Sequence, residues 1–165
     1  MKFIDKFCEI LNEQLSLHEK LLSLSQEKKT ILIKGSLPDL ERIIKEEHKL
    51  IQEVKYLERD RLAMVKQLAE ALKISADRIT ISFLTEVMQD EASKERLQRI
   101  KGNLEEVVKE LTEVNQLNAK LLEQSLEYIH ATMDAITADP EEDLLYSHPV
   151  KQGVKKGRSV FDAKT

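Results

Sequence analysis

Ile31-Leu32-Ile33-Lys34-Gly35-Ser36-Leu37-Pro38-Asp39-Leu40 is the stretch that decides the fold. Apolar residues at helical spacing lead into Gly35, which suits a left-handed residue just past a helix end. Ser36 stands where an N-cap is expected, Pro38 falls in the next first turn, and Asp39 favours the positive end of a helix. Two long helices joined by a one- or two-residue break must fold back as a tight antiparallel hairpin.

Upstream, the first helix runs from about residue 3 to 34. Phe3, Phe7, Ile10, Leu17, Leu21, Leu24 and Ile31 alternate steps of four and three once Gln14 and Lys28 are admitted as seam positions. Ile4, Leu11, Leu15, Leu22 and Leu32 widen this stripe, which reads as a bundle face rather than a narrow two-stranded seam. Downstream, the second helix covers about 37 to 73. Its stripe runs through Leu40, Ile43, Ile44, Leu50, Ile51, Val54, Leu57, Leu62, Met64, Val65, Leu68 and Leu72, interrupted by Glu47 and by Glu58-Arg59-Asp60-Arg61. That charged run reads as a solvated face.

Residues 74–90 are less regular. Ser75, Thr80 and Ser82 are possible caps, and a short helix over about 81–88 is expected to plug the bundle end. A third long helix follows over about 93–138. Leu97, Ile100, Leu104, Val107, Leu111 and Val114 keep a heptad seam, and after Asn118 the stripe is expected to slip by one residue to Leu122, Leu126, Ile129, Met133 and Ile136. At 1.5 Å per residue this helix is about 65 Å long against about 48 Å for the first, so part of it must overhang or pair elsewhere. The expected architecture is all-α: an elongated antiparallel hairpin plus a third long helix, coiled-coil-like, over 1–138. A largely non-helical tail, flexible or partner-docked, fills 139–165. Acidic residues open that tail and basic ones close it, with Leu144, Leu145, Tyr146, Val150, Val160 and Phe161 as isolated apolar anchors.

Composition fits a slender helical protein: 34% of residues are charged, 4% aromatic, and only four are Gly and three Pro. A net charge of −4 without a basic patch argues against nucleic acid. No run approaches the ~18 apolar residues of a membrane span, and the N-terminus lacks the apolar core of a signal peptide. The single cysteine, Cys8, excludes an internal disulfide and fits a reducing compartment. A cytoplasmic protein without direct membrane insertion is expected.

A search for chemistry finds little. Glu127 and His130 have the Glu-x-x-His spacing of carboxylate-bridged metal sites, but His18, His48 and His148 each lack a Glu three residues earlier, so the second pair is missing. No catalytic residue, metal site or cofactor is expected. Asn115 and Asn118, at or beside the seam, either fix register or mark a partner contact, or are simply exposed near a bundle end.

Three segments resemble the flagellar export chaperones of the FlgN family. They are Leu21-Leu22-Ser23-Leu24-Ser25-Gln26-Glu27-Lys28-Lys29 with Leu37–Leu40 after the turn, Lys49-Leu50-Ile51-Gln52-Glu53-Val54 through Leu57-Glu58-Arg59-Asp60-Arg61, and Val114-Asn115-Gln116-Leu117-Asn118-Ala119-Lys120-Leu121-Leu122. The tail tyrosine, Tyr146, also fits, whereas the basic ending Gly157-Arg158-Ser159-Val160-Phe161-Asp162 departs from the pattern. The resemblance implies a non-enzymatic chaperone for hook-associated (hook–filament junction) proteins, with clients held on the C-terminal helix. Carried onto this chain, client binding falls on Val107, Leu111, Val114, Asn115, Leu117, Asn118, Leu121 and Leu122. Docking to an export-gate component falls on Tyr146, and Val160 and Phe161 are tail anchors. The competing readings are a coiled-coil scaffold acting by self-association, with a homo-oligomer as its product, and a metal-binding helical enzyme.

Overall fold

A computed structural model describes residues 2–137. Among them are four α-helices and one 3-10 turn: α1 Lys2–Lys34, α2 Leu37–Leu72, the turn Ala76–Arg78, α3 Ile81–Val87 and α4 Glu91–Thr137. The chain divides into two units, Met1–Glu127 and Tyr128–Thr165. The expectations for the tail, including Tyr146, Val160 and Phe161, fall outside the described residues.

Gly35 ends α1 with φ +74, and its N–H closes on the Ile31 carbonyl at 2.8 Å. A side chain in that conformation would meet its own carbonyl, which is why glycine sits there. Ser36 is extended as an N-cap should be, but its hydroxyl does not cap. It donates instead to Asp39 Oδ2 at 2.6 Å. The other end of α2 uses Lys73 in the left-handed region, φ 55, with Ile74 N–H reaching back to the Ala69 carbonyl at 3.1 Å. Thr80 caps α3 through the Phe83 N–H (3.1 Å), and Asp90 caps α4 through the Ser93 N–H (3.1 Å), so α4 begins slightly before the expected Ser93.

Side-chain bonds set the directions in the first unit. Gln14 Nε2 donates to Glu58 Oε2 (3.0 Å) and Lys28 pairs with Glu47 (2.7 Å), so α2 runs antiparallel to α1. Asp5 faces Arg96 (3.7 Å) and Ser25 bonds Asn115 (2.5 Å), so α4 runs parallel to α1. The two polar positions in the α1 seam are therefore occupied as expected, and each has an α2 partner. Glu47 and Glu58 do not interrupt a buried stripe by pointing away from it. They complete it, because a buried amide or ammonium needs an acceptor. Glu58 and Arg61 are half-buried and joined at 2.7–2.8 Å, while Arg59 and Asp60 face solvent.

The tightest packing lies where α1 begins. Phe7, Cys8, Leu11, Met64, Ala69, Ile79, Leu84, Leu97 and Ile100 form one core, and Phe3 stacks on Phe7 with ring centroids 5.8 Å apart. The connector seals this end through Ile79 and Leu84, and each large side chain fully buried here contributes about 1.5–3 kcal/mol. Cys8 is wholly buried, and burial pushes its thiol above the usual value, against the pull of Arg96.

The expected slip of the α4 seam does not occur in the first unit. The inward row continues through Asn118, Leu121 and Ser125 in unbroken heptad steps, while Leu122 and Leu126 stay exposed. The apolar residues after Asn118 switch rows, but the Asn118 amide bonds across to the Ser25 carbonyl of α1 and the Ser125 hydroxyl bonds back to the Leu121 carbonyl, so the original row can stay inside. In the second unit Ile129, Met133 and Ile136 of α4 are exposed.

A candidate client groove

The backbones of α1 and α2 lie close together, whereas α4 meets the hairpin through longer side-chain contacts. Beyond the apolar core this spacing leaves a groove of about 490 Å³. Leu21, Lys28 and Leu32 of α1, Leu40, Ile44, Glu47 and Ile51 of α2, and Leu111, Asn115, Asn118, Ala119 and Leu122 of α4 line it. Ile44 (51% exposed), Ile51 (41%) and Leu122 (45%) are its open lips. Large aliphatic side chains left this exposed along a groove are the usual mark of an interaction surface.

The groove is lined mostly by apolar side chains but contains two polar features. Lys28 Nζ contacts both Glu47 oxygens at 2.7 Å, with side chains 20% and 14% exposed, so the charges neutralise one another. Ser25, fully buried, ties the two asparagines to α1. Its hydroxyl donates to Asn115 Oδ1, and Asn118 Nδ2 donates to the Ser25 carbonyl at 2.8 Å. Asn118 is buried, whereas Asn115 is exposed yet still bonded to Ser25 on the groove wall.

Of the residues assigned to client binding from sequence, Leu111, Asn115, Asn118 and Leu122 come together on one wall of the groove. Val107, Val114 and Leu121 are half-buried outside its lining, and Leu117 is exposed without lining it. The opposite wall was missed. Ile44 and Ile51 belong to the α2 stripe by spacing, yet they are exposed on the groove, and their seven-residue interval was the available signal. Nothing in the sequence marks Ser25 as the buried anchor of the asparagines.

Among the described residues no group of three or more His, Cys, Asp or Glu could hold a metal ion, and both Glu127 and His130 are exposed. No helix among them is long and apolar enough to cross a membrane.

Comparison with known proteins bears on what the groove is for. The FlgN protein family matches residues 1–152. The protein named "Uncharacterized protein YvyG" from Bacillus subtilis (strain 168) is 30% identical over 158 residues, covering 94% of this chain and 95% of that protein. No solved structure matches. Matched by this family over residues 1–152, the chain belongs to the FlgN family, a family of flagellar chaperones rather than enzymes.

Proposed function

We propose that this chain is an export chaperone for hook-associated (hook–filament junction) proteins, and that a client helix seats in the groove between α2 and α4. The observation that carries this reading is the groove itself, with Ile44, Ile51 and Leu122 open at its lips. Terminal helices of filament subunits polymerise through apolar stripes. A chaperone that covers such a stripe with Leu111, Leu122 and Ile51 blocks early assembly and leaves the rest of the client unfolded for export. Burial of apolar surface supplies the affinity, so neither nucleotide nor bond chemistry is needed. Tyr146 is proposed to dock the loaded chaperone at the type III export gate, with Val160 and Phe161 as further tail anchors.

The test is co-expression with each junction protein followed by size-exclusion chromatography with light scattering. A soluble complex is expected, and Tyr146→Ala should leave it intact while lowering export. Failure of every junction protein to bind overturns the reading. Stable self-assembly in place of client binding would establish the scaffold alternative.

A further inference from the structure

The groove is apolar except at two levels, and at one of them two amides have been turned in fixed directions. Ser25 Oγ donates to Asn115 Oδ1 at 2.5 Å, while Asn118 Nδ2 donates to the Ser25 carbonyl (2.8 Å) and hydroxyl (3.2 Å). Asn115 therefore has its oxygen engaged, and its Nδ2 has no protein partner among the described residues. Asn118 has its nitrogen engaged, and its Oδ1 is buried without a partner. The open donor of Asn115 and, a turn on, the buried orphan acceptor of Asn118 belong to two residues that line the groove, and the acceptor becomes reachable only if the Asn118 side chain yields to an occupant. At the other level Lys28 and Glu47 satisfy each other, so no free charge is available to an occupant.

A side-chain carboxamide carries an acceptor and a donor on separate atoms of one planar group. From this complementarity, and resting on the client reading above, we infer that the groove's occupant is a partner's amphipathic helix whose apolar row is interrupted by one Asn or Gln. Its carbonyl accepts from Asn115 Nδ2 and its NH2 donates to Asn118 Oδ1. The contact sets register. Aliphatic lips tolerate a slide of one turn, about 5.4 Å, but that slide leaves the client amide and both chaperone amides buried and unpaired. A single buried Asn fixes register in helix pairs in the same manner.

The test uses the full chain with a junction protein that binds it. Asn115→Leu keeps an exposed helix position folded and makes the groove more apolar. A purely apolar seat then binds as tightly or tighter, whereas an amide seat weakens at least tenfold in Kd. A measurement on the unmodified chain stands beside it: the Asn118 Cγ resonance should move when the complex forms, because its oxygen gains a donor. Replacing the Asn or Gln of the bound client helix by Leu should weaken binding to the unmodified chain and restore it to Asn115→Leu. A complex that ignores Asn115→Leu and leaves Asn118 Cγ unmoved overturns the inference while sparing the client reading. Absence of any complex removes both.

Discussion

Replacing Lys28 by Met, Glu47 by Leu, and both together gives a thermodynamic cycle on the ion pair in the groove. At 2.7 Å the gross attraction between unit charges is roughly 6 kcal/mol for an effective dielectric near 20. Desolvation offsets most of it, since the side chains are only 20% and 14% exposed. Removing one partner strands the other charge in an apolar groove, a loss of 3–5 kcal/mol for a fully buried pair and about 2 kcal/mol here, where water still reaches both. Removing both restores an apolar seam and should land within about 1 kcal/mol of the original chain. The coupling is then roughly −4 kcal/mol, far outside the additivity expected of independent sites. Urea unfolding followed by circular dichroism reads all four proteins. Single variants that each cost under ~0.5 kcal/mol, or a double variant whose loss is the sum of the singles, would refute the view that the pair stands in a desolvated groove.

Leu97→Ala removes a fully buried side chain at the α4 end of the core and should cost about 2–5 kcal/mol, seen as a lowered denaturation midpoint with little change in slope. Ile51→Asp and Leu122→Asp alter exposed lips, so thermal melting should stay near that of the parent while junction-protein affinity drops more than tenfold; Leu121→Asp, at a half-buried inward position, should cost folding stability as well. The Arg61 guanidinium beside Glu58 holds its carboxyl below the usual range, opposed by burial and helped by Gln14. Stability from this group is therefore present above the ordinary value of 4.5 and is lost as pH falls through the lower folded value, so acid titration of Glu58→Gln should show a shallower loss. Lys73→Gly should raise stability by up to about 1 kcal/mol in the same urea assay, because the left-handed backbone at φ 55 strains a side chain.

The helices and their order were legible because apolar periodicity and Gly35 act locally. Gln14 and Lys28 could be placed in the α1 seam from spacing alone. Their partners could not, since Glu58 and Glu47 lie on another helix and look like surface charge until the hairpin closes. The same limit explains the groove. Leu111, Asn115, Asn118 and Leu122 entered only through the family resemblance, which points to the C-terminal helix, whereas Ile44 and Ile51 join them only through tertiary spacing. The apolar pattern alone predicts a slip after Asn118, but Asn118 finds its partner on α1, in Ser25, and Ser125 bonds its own helix, so a polar row stays inside.

The core at the start of α1 joins Phe7 and Leu11 to Leu97 and Ile100, some ninety residues away in sequence, whereas the α1–α2 hairpin closes around Gly35. Closing the long loop requires far more chain ordering than zipping the hairpin. Folding is therefore expected to proceed from the Gly35 turn outward, with α4 docking last. Opening reverses this order: the α4 turns around Asn115 and Leu122, tied mainly by Ser25, exchange their amide hydrogens sooner than those around Leu97. The wall proposed to meet a client is thus expected to be less committed to its own fold than the core around Leu97.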